Sequence, residues 1–113
     1  MEVVRAGEVP VSEVREDEEG NPARGTGIQV LLRGPNFVLR VFTVRPGGAT
    51  PRHRHPWEHE VYVLAGRGRV VGEEEVEVAA GDAVFVPAGE LHSFENAGEG
   101  ELRFICVVPR RPD

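Results

Sequence analysis

The chain has 113 residues, 40% of them hydrophobic, and a formal net charge of −6. That length supports one hydrophobic core rather than two. The acidic balance argues against a nucleic-acid partner, and no apolar run approaches the ~20 residues that a membrane helix needs.

Helical periodicity is nearly absent. Short runs rich in Val, Leu, Phe and Ile alternate with turns, supplied by 14 Gly and 9 Pro. This is the pattern of an all-β sandwich or barrel. In chain order, residues 1–6 are expected to form a first short strand. Residues 12–20, SEVREDEEG, read as a solvated connection, because they carry too much charge for a core. Gly20-Asn21-Pro22 reads as a turn, so residues 1–25 make an N-terminal strand and connection. Strands are expected over Thr26–Arg33 and Phe37–Arg45, the second ended by Pro46-Gly47-Gly48. An extended polar stretch over 49–55 leads through Pro56-Trp57-Glu58 to a strand at His59–Ala65. Arg67–Val71 and Glu75–Ala79 form a hairpin, with the glutamates at its tip in water. The last strands fall at Ala83–Pro87, Leu91–Glu95 and Glu101–Val108, before Pro109 and a basic tail.

Alternation along a strand assigns faces. His53 and His55 share one face, as do His92, Phe94 and Asn96. In the last strand Leu102, Phe104, Cys106 and Val108 point inward, because a buried unpaired Arg103 is unfavourable. Ile105 and Val107 are then left on the outer face. They are too apolar for open water, which predicts a partner surface, most simply a second copy of the chain.

All thirteen basic side chains are Arg. Codon usage in a GC-rich genome accounts for this; depletion of Asn, Gln, Cys and Met in a thermophile is the second reading, against which the absence of Lys counts. A lone Cys106 has no internal partner and fits a reducing compartment. The opening residues, MEVVRAGEVP, lack the layout of a secretory leader. A cytoplasmic location is therefore expected.

The four histidines of the chain are His53, His55, His59 and His92. A His-x-His pair on a strand projects two imidazoles from one face. His59 follows after a tight turn, and His92 comes from a distant strand whose inner face is apolar. Without a cation, converging imidazoles would repel when protonated and leave unpaired ring nitrogens when neutral. A metal ion on these four residues resolves both problems.

The motifs around the histidines resemble those of the cupins. Gly47, His53, His55 and Gly66 match the first cupin motif, over 47–66, and Gly81, Pro87, Gly89, His92 and Asn96 match the second, over 81–96. The resemblance implies a single-domain cupin barrel over 1–113, a double-stranded β-helix of jelly-roll type. One position departs from the family pattern: the usual carboxylate ligand falls on His59 when six residues precede Gly66, and on Glu60 only if that spacing is broken. The all-histidine set, with the flanking words PNFVLRVFTVRPGG and RHRHPWEHEVYVLAG, resembles the small single-domain manganese cupins of thermophilic bacteria. That resemblance implies manganese and a homodimer. Imidazole ligands by themselves are also compatible with Fe, Zn, Ni or Cu.

Four neutral imidazoles leave the full charge on a divalent ion and favour anionic ligands. The expected function is therefore a metal-dependent, dioxygenase-like oxidation of a small organic substrate. The alternatives are a non-catalytic cupin that binds or senses a small anion, and a metal-dependent sugar or keto-acid isomerase with Glu60 as the base. Arg40 sits in an apolar strand, where it either anchors an anionic substrate or pairs with a Glu at a dimer contact. Phe94, Phe104 and Cys106 are candidate pocket residues, with core packing as the simpler reading for the aromatics. Glu60 could support a ligand histidine from behind, and Trp57 could cover the ion or only pack the turn.

Overall fold

The computed structural model describes residues 1–111. Pro112 and Asp113, the end of the basic tail, lie outside the described residues. Nine strands run in chain order as β1 (Ser12–Glu16), β2 (Pro22–Arg33), β3 (Phe37–Ala49), β4 (His59–Ala65), β5 (Arg67–Val71), β6 (Glu75–Ala79), β7 (Ala83–Val86), β8 (Ser93–Asn96) and β9 (Leu102–Pro109). They form one curled antiparallel sheet in the order β6-β5-β8-β3-β9-β4-β7, with β2 also on β3 and β1 on β2. The all-β class expected from the turn spacing is observed, and the sheet is a barrel, as the resemblance to the cupins implied. β4, β5 and β6 have the expected bounds, and β7, β8 and β9 lie within one or two residues of theirs.

β3 holds the barrel together. Its first part, Phe37 to Val44, pairs with β9, while its end, Ala49, pairs with Glu95 of β8. Expectation stopped this strand at Arg45; it instead continues as a bulge through Pro46-Gly47-Gly48, and pairing resumes at Ala49. Two glycines make this possible. Gly47 takes a positive φ of 80°. At Gly48 an added Cβ would lie 2.7 Å from the Arg24 carbonyl oxygen and 2.8 Å from that of Arg45. A register shift between Arg24 and Thr26 absorbs the bend.

The N-terminus also differs from expectation. Residues 1–6 form no strand; the first regular element is a short 3-10 turn, Ala6–Glu8. The buried amide of Gln29 donates to the carbonyls of Ala6 and Val9 at 2.8 and 2.9 Å, tying this segment across the outer face of β2. Conversely, part of the charged stretch 12–20 is strand β1. It has a neighbour on one side only, and all but one of its residues are exposed. Edge pairing satisfies its backbone while the charges stay in water. The turn lies at 17–20, beginning three residues earlier than expected. Pro22 opens β2, where its missing N–H costs little.

Facing strands close the core. Leu102, Phe104, Cys106 and Val108 are buried, as their parity requires. The Phe104 ring lies 5.3 Å from Phe42 of β3 and 4.7 Å from Phe94 of β8. Val61, Val63, Val78 and Val86 complete the same cluster. On the outer face, Ile105 pairs with Tyr62 and Val107 with Glu60. Tyr62, Leu64 and Phe85 are exposed there, so this side of the sheet is apolar and open.

Candidate metal centre

The motif strands deliver the imidazoles to one end of the barrel. His59 starts β4 on its buried parity, and the strand then alternates buried and exposed up to Leu64. His53 and His92 face each other in an isolated antiparallel bridge, with reciprocal backbone bonds of 3.1 and 2.9 Å. Gly89, with a φ of 81°, donates its N–H to the His55 carbonyl at 2.7 Å. The second motif's turn is thereby fastened to the first motif's loop.

One ring nitrogen from each of His53, His55 and His92 lies within 4.8 Å of the others, a set that could hold a metal ion. The His59 ring stacks on His55 at 4.3 Å and stands 5.2 Å from His92. Nε2 of His55 is 3.1 Å from Nε2 of His53, and Nε2 of His59 is 2.9 Å from Nδ1 of His55.

The outer nitrogens decide how the rings present themselves. Nδ1 of His53 donates to the Asp17 carboxylate at 2.9 Å, and Nδ1 of His92 donates to the Glu90 carbonyl at 2.8 Å. Both partners are acceptors only, so the Nε2 atoms of His53 and His92 carry lone pairs. Nδ1 of His59 lies 3.1 Å from the Cys106 sulfur, which also receives Nη2 of Arg40 at 3.1 Å. Rings fixed from behind, with lone pairs turned toward one another inside the cluster, suit a divalent ion.

Electrostatics point the same way. Burial, then the charges of His53, His92 and Arg40, push His55 down to about 3. Burial and His55 push His59 down to about 2, and burial also lowers His92. These imidazoles are neutral at neutral pH, as metal ligands must be. Burial opposes ionisation of Asp17. Hydrogen bonds from Asn21, His53 and the Glu19 backbone nonetheless hold its carboxyl well below the usual range. Burial raises the Cys106 thiol, with Arg40 opposing.

Beside the rings lies a cavity of about 170 Å³. Arg40, Phe94, Phe104 and Cys106, the pocket residues expected from the sequence, all line it. Phe94 and Phe104 belong to the core as well, so their two readings coincide. Phe42 and Asp17 also line the cavity and were not expected. Phe42 shares the inner parity of Arg40, which the pairing of Phe42 with Phe104 and of Arg40 with Cys106 fixes. Asp17 lies in a charged run with no signal beyond its spacing to Asn21. Trp57 stacks flat on His55 at 4.6 Å and 7°. Glu60 turns the other way: it is exposed, and Glu58 hydrogen-bonds it and raises its carboxyl. It supports no ligand histidine, and the isomerase alternative loses its base.

A cupin-domain family model matches residues 40–108, more than half of the chain. The chain belongs to the cupin family. This cupin is 38% identical over 100 residues to the 1-methylthio-D-xylulose 5-phosphate methylsulfurylase of Rhodospirillum rubrum, spanning 85% of this chain and 64% of that protein. It is 38% identical over 65 residues to the oxalate-binding protein of Thermotoga maritima, spanning 56% of this chain and 54% of that one. The chain thus spans less than two thirds of the length of these curated relatives. Among solved structures, the polyketide cyclase RemF from Streptomyces resistomycificus superposes with a TM-score of 0.87 at 37% identity, covering 100% of this chain and 82% of that one.

Proposed function

We propose that this cupin holds one divalent metal ion on His53, His55, His59 and His92 and oxidises a small organic anion or enol beside it. The observation that carries this reading is the ring cluster: two outer nitrogens held by acceptor-only groups, and inner lone pairs bordering an apolar cavity. Manganese is the favoured metal by resemblance to small manganese cupins. A redox-active metal held on these four ring nitrogens would supply the electron transfer, with dioxygen or a peroxide as the oxidant. The protein's own groups do the rest. Asp17, Cys106 and the Glu90 carbonyl orient three of the rings. Phe42, Phe94 and Phe104 keep water from the cavity wall. Trp57 covers the outer side of His55. We further read the chain as one cupin domain that works as a cytoplasmic homodimer through the open face at Tyr62 and Phe85.

The printed name of one relative, an oxalate-binding protein, favours a second reading in which the site binds a small anion without turning it over. Metal analysis of the purified protein, followed by oxygen-uptake assays with manganese- and iron-loaded protein across enolic and unsaturated acids, separates the two. Consumption of oxygen with product supports oxidation. Tight calorimetric binding with no product supports the binding module.

A further inference from the structure

We propose that Arg40 is the anion-anchoring residue of the histidine-lined cavity, and that its ligand is a compact organic anion held between this guanidinium and the histidine cluster. The inference rests on the metal reading above and adds the residue and the ligand class. Arg40 comes from β3 on the inner face, opposite Cys106 of β9. It lines both the 170 Å³ cavity and the groove outside it, where Trp57 and Arg111 stand. Its contacts are all neutral. Nη2 donates to the Cys106 sulfur, and the guanidinium lies 5.1 Å from the centre of the Phe42 ring. Nε is, among the described residues, the one buried side-chain nitrogen or oxygen with no hydrogen-bond partner. No carboxylate pairs with Arg40 among the described residues, although Arg15, Arg69 and Arg111 all have one.

Among the described residues, the one carboxylate on the cavity wall already has its acceptor sites filled. Asp17 shares the cavity wall, but Oδ1 accepts the Glu19 and Asn21 N–H groups at 2.9 and 2.8 Å. Oδ2 accepts Asn21 Nδ2 and His53 Nδ1 at 2.8 and 2.9 Å. These four bonds fill the acceptor sites of a carboxylate. Glu18 at the mouth pairs with Arg111 at 3.2 Å. Asp17 offsets one positive charge on the cavity wall, so Arg40 together with a divalent ion would still leave the cavity with net positive charge. Burying such charge is costly unless an anion offsets it. The ligand therefore brings the negative charge. Its size follows from the volume: a cavity of roughly 150 Å³ accommodates benzene, so six heavy atoms fill this one. Its non-polar part meets Ile28, Phe42, Phe94 and Phe104.

The probes are pyruvate and pyruvamide, which share size and shape and differ in charge. Calorimetry on the metal-loaded protein should show pyruvate binding at least tenfold more tightly than pyruvamide. Arg40→Gln should erase that preference, with metal content and melting temperature unchanged; Arg40→Lys should keep part of it. Arg54→Gln, a change to an exposed arginine at the mouth, should leave it intact. Equal binding of the two probes by the wild-type protein, or an undiminished preference in Arg40→Gln, overturns the proposal. If Arg40→Gln fails to fold, Arg40→Lys and the probe comparison on wild-type protein still decide. A protein that takes up no metal defeats the metal reading alone. The same Arg40-dependent preference is then sought in the metal-free protein, where its absence defeats this inference too.

Discussion

The Asp17 carboxylate reaches across from the β1–β2 turn to within 2.9 Å of Nδ1 of His53. The same carboxylate gathers three N–H groups of Glu19 and Asn21, so one side chain both shapes the turn and aims the imidazole. Removing such a partner from behind a ligand histidine typically weakens metal binding by about 10–100-fold. Asp17→Ala should do so here, read by competition with a chromophoric chelator. Asp17→Asn should lose less, because its side-chain oxygen can still accept from Nδ1. Wild-type affinity in Asp17→Ala would show that the contact does not orient the ring.

His59 separates a four-ligand centre from a three-ligand one. Its ring stacks on His55, and its Nε2 stands at hydrogen-bonding distance from Nδ1 of that residue. If His59 coordinates the ion, His59→Ala should lower metal affinity by at least about tenfold, the scale on which even outer partners act. The visible spectrum of the cobalt-loaded protein should shift as a nitrogen ligand is lost. An unchanged spectrum in a folded variant would leave His53, His55 and His92 as the whole set.

Much of this was legible in the sequence, for reasons that differ by region. Short strands with one dry face announce themselves by alternation, so β4, β5 and β6 could be bounded to the residue. The inward set of β9 followed from the improbability of burying Arg103. The motif histidines were legible because fixed turn glycines set their spacing. At Gly66, a φ of 86° and the closeness of the Glu101 carbonyl leave no room for a Cβ. Contacts made between distant parts of the chain were not legible. Nothing local says that Gln29 pins residues 6–9, or that an aspartate among glutamates turns inward to His53. Charge marks 12–20 as exposed, which is true of β1, yet an edge strand can be exposed and paired at once. Arg40 was legible as an oddity, but its face became clear only from its register with Cys106.

The pH dependence of the metal-free protein follows from the neutral histidines. In the unfolded chain they take up protons near pH 6.5. In the folded chain, burial and mutual repulsion delay this for His55 to about 3. His59 and His92 shift in the same direction. Below pH 6.5 the unfolded state therefore binds more protons than the folded one, and stability falls as pH drops through that window. Urea unfolding midpoints should decline steadily from pH 7 to pH 4.5. His55→Gln should flatten part of the decline. Midpoints that stay level over this range would contradict the assignment of buried neutral imidazoles.

The open outer face makes a prediction about assembly. Tyr62, Leu64 and Phe85 are 47%, 40% and 59% exposed, beside Ile105 in the register. Exposed apolar side chains grouped on one sheet face favour association. Sedimentation should give a dimer, and Tyr62→Glu combined with Phe85→Glu should give a folded monomer with its metal affinity retained. A wild-type monomer at micromolar concentration would refute a dimer through this face.

Phe104 ties the stability of the barrel to the shape of the cavity. It is 1% exposed, lies between Phe42 and Phe94, and forms part of the cavity wall. Truncating a buried Phe to Ala costs about 3–5 kcal/mol, because the neighbours close only partly over the gap. Against a total stability of roughly 5–15 kcal/mol, Phe104→Ala should lower the denaturation midpoint sharply, and Phe104→Leu by much less. Because the lost ring opens onto the histidine-lined cavity, Phe104→Ala should also admit ligands larger than pyruvate. A variant with a near-native midpoint would mean that the three rings are less tightly interlocked than their 4.7 and 5.3 Å spacings indicate.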